Sequence, residues 1–285
     1  MGKLNPRVDF AFKILFGSEE STDILLSFIN SVLSLEHPIT KIRLLNPYNY
    51  KKHPTDKSSI LDIKAQDERG RLYNIEMQLM DQVDYNQRVL YYWFKLYSEQ
   101  LSEGQGFKAL QKTISIHILN FNSFEEKEFH NIFRILNTKT YSSCFEDLEL
   151  HFIELKKFDK DLAHVTTSLD RWVTFLNKAA EWDKGEVPVE LQADPAIEKA
   201  AATLDRISLS KEEREVYEAQ LKWLRVEAAA IEKAEIKGFN IGIERGIEKN
   251  REETVIRLIK NTTLSSEEIA KIAGCSIDFV QKLKS

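Results

Sequence analysis

The stretch from Ser59 to Gln78, SILDIKAQDERGRLYNIEMQ, constrains this chain most, because an acid interrupts one apolar run and a second acid stands near the end of the next. Alternate residues of a strand share a face, so Ile60, Asp62 and Lys64 fall on one side and Leu61, Ile63 and Ala65 on the other. The same parity sorts the second run. Leu72, Asn74, Glu76 and Gln78 point one way and Tyr73, Ile75, Met77 and Leu79 the other, giving an apolar face and a mostly polar one. Asp67-Glu68-Arg69-Gly70 supplies the turn between them. The pattern predicts two strands presenting Asp62, Glu76 and Gln78 on one side of a sheet, around one metal ion.

The elements on either side extend that sheet. Phe12 and Phe16 lie one helical turn apart in VDFAFKILFG, and Gly17 stands where a helix commonly stops. Ile24, Leu25, Phe28, Ile29, Val32 and Leu33 mark a second amphipathic helix, which Ser21 or Thr22 can cap. Ile39 to Leu45 alternates as a first strand. After the hairpin, Val89, Tyr92, Trp93, Leu96, Tyr97 and Leu101 form the stripe of a long aromatic helix ended by Gly104 to Gly106, and Thr113 to Leu119 alternates strictly as a fourth strand. FHNIFRIL and DLELHFIELKKF read as extended segments that enlarge the sheet or flank it. Asp170 to Glu181 is helical, and Asp183 to Pro188 is a polar connector.

From Glu190 the character shifts to helix, with one long helix predicted over Lys211 to Lys249. Gly238, Gly242 and Gly246 recur in it at four-residue spacing, each costing roughly 1 kcal/mol relative to alanine. Close self-association of two helices would offset that cost; a frayed linker helix is the alternative. The end, SSEEIAKIAGCSIDFVQKLK, resembles a helix-turn-helix with few basic side chains on its second helix. An α/β part over residues 1–182 and a helical part over residues 190–285 are therefore expected.

The formal charge of −5 hides an uneven distribution. Glu181 to Glu235 carries 14 acids against 8 bases, so the remainder is close to neutral and leaves room for a phosphate-binding patch at Lys41, Arg43, Lys51, Lys52 and Lys57. No run reaches the roughly 20 apolar residues that cross a bilayer, and the first residues lack the apolar centre of a secretory signal. The expectation is a cytoplasmic protein without a membrane partner. Cys144 and Cys275 have no paired spacing and suggest neither a zinc site nor a disulfide.

Carboxylate oxygens suit hard divalent cations, and such a cation can lower the pKa of water and stabilise a phosphorane. Asp62 and Glu76 are the candidate ligands, with the main-chain oxygen of Met77 as a third. Gln78, on the Glu76 side, can orient water or a phosphate oxygen but has no basicity near neutral pH.

With these residues in place, the order helix, three strands, helix, strand resembles the PD-(D/E)xK nuclease core. The stretches DFAFKILFG, SILDIKAQDERGRLYNIEMQ, RVLYYWFKLYSEQL, LHFIELKKF and LDRWVTFL resemble its transposase-like branch, which includes the recombination-promoting nucleases. The resemblance implies an α/β restriction-endonuclease-like mixed sheet (αβββαβ) with a C-terminal helical region. It also implies Mg2+ on Asp62 and Glu76, and Gln78 at the place most related nucleases give to lysine. Gln87 and Tyr91 match the Q-x-x-x-Y pattern of nucleases related to RecB and share a helix face toward a substrate phosphate, unless Tyr91 packs in the core. Asp9 and Lys13 read as a surface ion pair. The function implied is a Mg2+-dependent DNA endonuclease serving recombination, mobile elements or defence, and the glycine stripe adds the expectation of a homo-oligomer, most simply a dimer. A weakly active nuclease-fold module for DNA binding and oligomerisation is the rival.

Overall fold

The computed structural model describes residues 4–46, 62–207 and 209–284, with Asp62 described through its backbone. Lys51, Lys52 and Lys57 of the expected basic patch, and Ser59 to Leu61 of the first hairpin run, lie outside the described residues. In chain order come helices α1 (Asp9–Gly17) and α2 (Thr22–Leu33), strands β1 (Ile42–Leu44), β2 (Asp62–Asp67) and β3 (Leu72–Gln78), and helix α3 (Tyr85–Ser98). Strands β4 (Thr113–Leu119), β5 (His130–Ile135) and β6 (Phe145–Glu154) follow, then helices α4 (Ser168–Lys178), α5 (Pro195–Arg206), α6 (Lys211–Asn261), α7 (Ser266–Ala273) and α8 (Ile277–Lys284).

The strands form one mixed sheet in the order β1-β2-β3-β4-β6-β5. It is antiparallel from β1 through β3, parallel from β3 through β4 to β6, and antiparallel again at the β5 edge. The αβββαβ core is therefore present, and the two extended segments both join the sheet, β6 beside β4 and β5 outside it.

Parity decides which helices cover which face. Ile63, Ala65, Tyr73, Ile75, Met77, Ile114, Ile116 and Ile118 share one core with Phe12 and Phe16 of α1, Phe28 of α2 and Trp172 and Phe175 of α4. Phe16, Phe28 and Trp172 meet with ring centroids 5.2 to 5.8 Å apart, within the range where tilted aromatic pairs attract. Ser27 ties this layer to α5, donating to Asp194, which also caps α5 at its first turn. The capping box of Thr167 and Asp170 starts α4 where the apolar stripe begins. The opposite face is covered by α3, whose Tyr85, Val89 and Trp93 pack with Leu119, Phe121, Leu150 and Phe152.

Two residues expected at the surface or the helix end behave differently. Lys13 is buried, with a side chain 6% exposed and an Asp9 partner 20% exposed at 3.2 Å, so this pair is held inside rather than on the surface. Helix α3 stops at Ser98, short of Leu101 and the glycines, because Gln100 is pulled out of helical register. Its amide donates to Gln111 O and accepts from Gln111 N, at 3.0 and 2.8 Å, just ahead of β4.

The chain divides into compact units of residues 1–221 and 222–285. In the second, Val255 of α6 packs with Ile269 and Ala270 of α7 and Val280 of α8. That core carries α6 on to Asn261, beyond the expected Lys249. A Ser265/Glu268 capping box opens α7 and Gly274 at φ +61° closes it, a left-handed position that a side chain would strain. Ile236, Phe239, Ile243 and Ile247 of α6 are exposed. No helix among the described residues is long and apolar enough to cross a membrane.

Candidate active site

Asp67 builds the turn that sets the hairpin register. Its carboxylate accepts the main-chain N–H groups of Arg69 and Arg71 at 2.9 Å each, Arg71 Nε at 2.6 Å and the Tyr73 hydroxyl at 2.8 Å. Burial and Asp67 together push the Tyr73 hydroxyl well above the ordinary tyrosine value. Gly70 completes the turn at φ +82°. With the turn held, Asp62 pairs with Glu76, Ile63 with Ile75 and Lys64 with Asn74. A slip of one residue would put position 62 opposite the wrong face of β3.

Strand β3 is buried at every position, so its polar face lies under α3 and not in solvent. Glu76 is 3% exposed at its side chain. Parallel pairing sets His117 of β4 beside it, and Glu76 Oε2 lies 3.6 Å from His117 Nδ1. That nitrogen is hydrogen-bonded to the Tyr85 hydroxyl at 3.0 Å, and Phe152 stacks on the ring at 5.0 Å. On the other side Arg88 Nη2 reaches Glu76 Oε1 at 3.4 Å, while Arg88 Nη1 donates to Gln82 Oε1.

Gln78 turns its amide toward its own chain. Nε2 donates to Met80 O at 3.0 Å, and Oε1 is buried without a hydrogen-bond partner among the described residues. Both amide atoms of Asn74, Ser115 Oγ and His117 Nε2 are likewise buried and unpartnered, on the same face of β3 and β4. A polar seam of this kind is normally hydrated, since each unpaired buried group costs about 1 to 3 kcal/mol. Gln87 and Tyr91 lie on the outer side of α3, with Tyr91 62% exposed, so Tyr91 is not a core residue.

The donor chemistry fits a hard divalent cation. Glu76 is a buried carboxylate whose contacts among the described residues are at 3.4 and 3.6 Å, longer than the roughly 2.7 to 2.9 Å of a tight charge-assisted bond. Residue 62 stands opposite it in register, and Met77 lies between Glu76 and Gln78 with its side chain in the other core. Among the described residues no three His, Cys, Asp or Glu side chains form a metal-binding group.

Residues 6–234 match the family model described as PD-(D/E)XK nuclease family transposase. The chain belongs to this nuclease family. No curated protein and no solved structure matches it. Membership makes nuclease-type chemistry the function of this chain's class, and divalent metal use is general within it.

Sequence reading overlooked Arg88, Tyr85 and His117, although each left a signal. His117 interrupts a strand whose apolar members alternate with Thr113 and Ser115, so three polar residues share one face of a central strand. Arg88 flanks the stripe of Tyr85, Val89, Trp93 and Leu96 by one helical position, at the border between core and solvent.

Proposed function

We propose that this chain is a Mg2+-dependent DNA endonuclease. The observation that carries the reading is the pairing of Asp62 with Glu76 in a chain of this family, with Glu76 buried under α3. Asp62, Glu76 and the main-chain oxygen of Met77 would hold the cation, which when bound lowers the pKa of water and neutralises charge on the phosphate. The chain's residues supply the rest. Glu76 is oriented between Arg88 and the His117–Tyr85 pair. Gln78 Oε1 is an acceptor that can take a hydrogen bond from the attacking water; the water oxygen bonds to phosphorus as an ester P–O bond breaks, one water proton passes to solvent, and the leaving oxygen takes up a proton from solvent. Gln87 and Tyr91 offer an exposed amide and ring for the DNA backbone and an unstacked base.

Nicking of supercoiled plasmid in Mg2+ tests the assignment. Wild type should relax the plasmid, and Asp62→Ala and Glu76→Ala should each lose at least about 100-fold in rate. Cutting that survives in both variants would refute these ligands.

The catalytic part in this reading spans residues 1–182 and the helical part residues 190–285. The exposed Ile236, Phe239, Ile243 and Ile247 beside the glycines of α6 support a homodimer through that helix. A cytoplasmic setting, and a role in recombination, element movement or defence, follow from the same reading. One observation favours a second: Gln78 brings no charge and spends one amide proton on Met80, which suits a slow or silent module that binds DNA and oligomerises. DNA binding by a wild-type protein that does not cut would support it.

A further inference from the structure

We infer that Arg88 is the cation this site uses in place of a lysine on β3, contacting the scissile phosphate of the substrate; the inference rests on the nuclease reading. Position 78 cannot supply a charge, because its side chain is an amide whose Nε2 is committed to Met80 O at 3.0 Å. Arg88 stands one turn into α3, with Nη2 3.4 Å from Glu76 Oε1 and a side chain 30% exposed. Its guanidinium therefore spans the boundary between the buried carboxylate and solvent, where a DNA phosphate would arrive.

The contact with Glu76 is loose, and the other nitrogen is steered by Gln82. The guanidinium offsets the Glu76 charge in the resting protein and can turn outward when that charge is neutralised otherwise. Its planar fork can donate two hydrogen bonds to one phosphate. Among the described residues Lys64 is a rival cation on this face of the sheet, opposite Asn74 in register. Its ammonium is drawn to Glu99, 3.8 Å away at the far end of α3, about 16 Å along the helix from position 88 at 1.5 Å per residue. Among the described residues Arg88 is the Lys or Arg side chain within 4 Å of Glu76, so positive charge stands on the helix beside this carboxylate.

The test compares wild type, Arg88→Gln, Arg88→Lys, the double variant Arg88→Gln/Gln78→Lys, and Glu76→Ala. In Mg2+, Arg88→Gln should nick plasmid at least about 100-fold more slowly than wild type. Arg88→Lys should retain part of the rate. Lysine at 78 should restore at least about tenfold to the Arg88→Gln protein, because the charge returns from the neighbouring strand. Two further readouts do not depend on turnover. With a labelled duplex in EDTA, Arg88→Gln should lower the slope of log affinity against log salt by about one, the signature of one lost phosphate contact. Calorimetric titration with Mn2+ should show affinity unchanged or increased, since a competing cation has left Glu76. If Arg88 were only a strut for Glu76, Mn2+ affinity would fall with the rate and lysine at 78 would not rescue; that result overturns the inference. Cutting that vanishes in Glu76→Ala but persists in Arg88→Gln also overturns it, with the nuclease reading intact. A wild type that cuts no better than Glu76→Ala removes the nuclease reading, and the inference falls with it.

Discussion

Replacing Asp67 by alanine should cost the first unit about 4 kcal/mol, a large fraction of the about 5 to 15 kcal/mol of an ordinary domain. The Asp67 carboxylate is fully buried and accepts four hydrogen bonds, two from main-chain N–H groups, one from Arg71 and one from Tyr73. Alanine leaves the Tyr73 hydroxyl, itself 0% exposed, without a partner, which costs about 1 to 3 kcal/mol. It also leaves the Arg71 guanidinium, 15% exposed, unpaired, and breaking a buried pair in this way costs about 3 to 5 kcal/mol in all. Asparagine keeps one acceptor for the main-chain N–H groups and should cost about half as much. Urea unfolding followed by tryptophan emission reads this unit, because Trp93, Trp172 and Trp182 lie in it and only Trp223 in the other. Adding Tyr73→Phe to the alanine variant should recover about 1 kcal/mol, since the stranded hydroxyl is gone. An alanine variant within about 1 kcal/mol of wild type would show that the hairpin register does not depend on this carboxylate.

Acid should weaken the outer edge of the sheet. Burial and the neighbouring His151 lower His130 to about 4 from 6.5, so the unfolded chain takes up the proton first and stability, intact above the unfolded value, falls as pH drops toward the folded one. The loss should be about 2 kcal/mol at about pH 5, measured by urea unfolding at two pH values, and His130→Gln should flatten the difference. Glu154, fully buried, accepts from Phe124 N, Asn131 Nδ2 and Lys157 Nζ. Glu154→Ala should therefore cost about 3 to 5 kcal/mol and open the segment from 121 to 129 to limited proteolysis. Among the described residues, a Cβ at Gly238, Gly242 or Gly246 meets nothing within 4 Å. Alanine at all three should raise helix stability by up to about 1 kcal/mol per site, while sedimentation should show a weaker oligomer if that face is where two helices meet; unchanged mass would remove the glycine face from the interface.

The order of elements, the turn at Asp67 to Gly70, the strand over Thr113 to Leu119 and the placement of Asp62 and Glu76 on neighbouring strands were all determined by the sequence alone. Each depends on side-chain period and turn chemistry, which are local. Tertiary contacts decided the rest. Period two separates the polar from the apolar residues of β3 but cannot say that α3 will cover the polar side, so the burial of Asn74, Glu76 and Gln78 is visible only once the helix is laid down. The end of α3 at Ser98 follows from hydrogen bonds between Gln100 and Gln111, partners on two different elements. Lys13 becomes a buried ion-pair partner because α1 is enclosed by its neighbours, although its spacing to Asp9 alone reads as a surface pair. Arg88 and His117 are 12 and 41 residues from Glu76 in the sequence, and only packing of helix and parallel strand against β3 brings both within 4 Å of one carboxylate. The acids of the hairpin are legible as a pattern, whereas the cation beside them is a matter of which helix face meets the sheet.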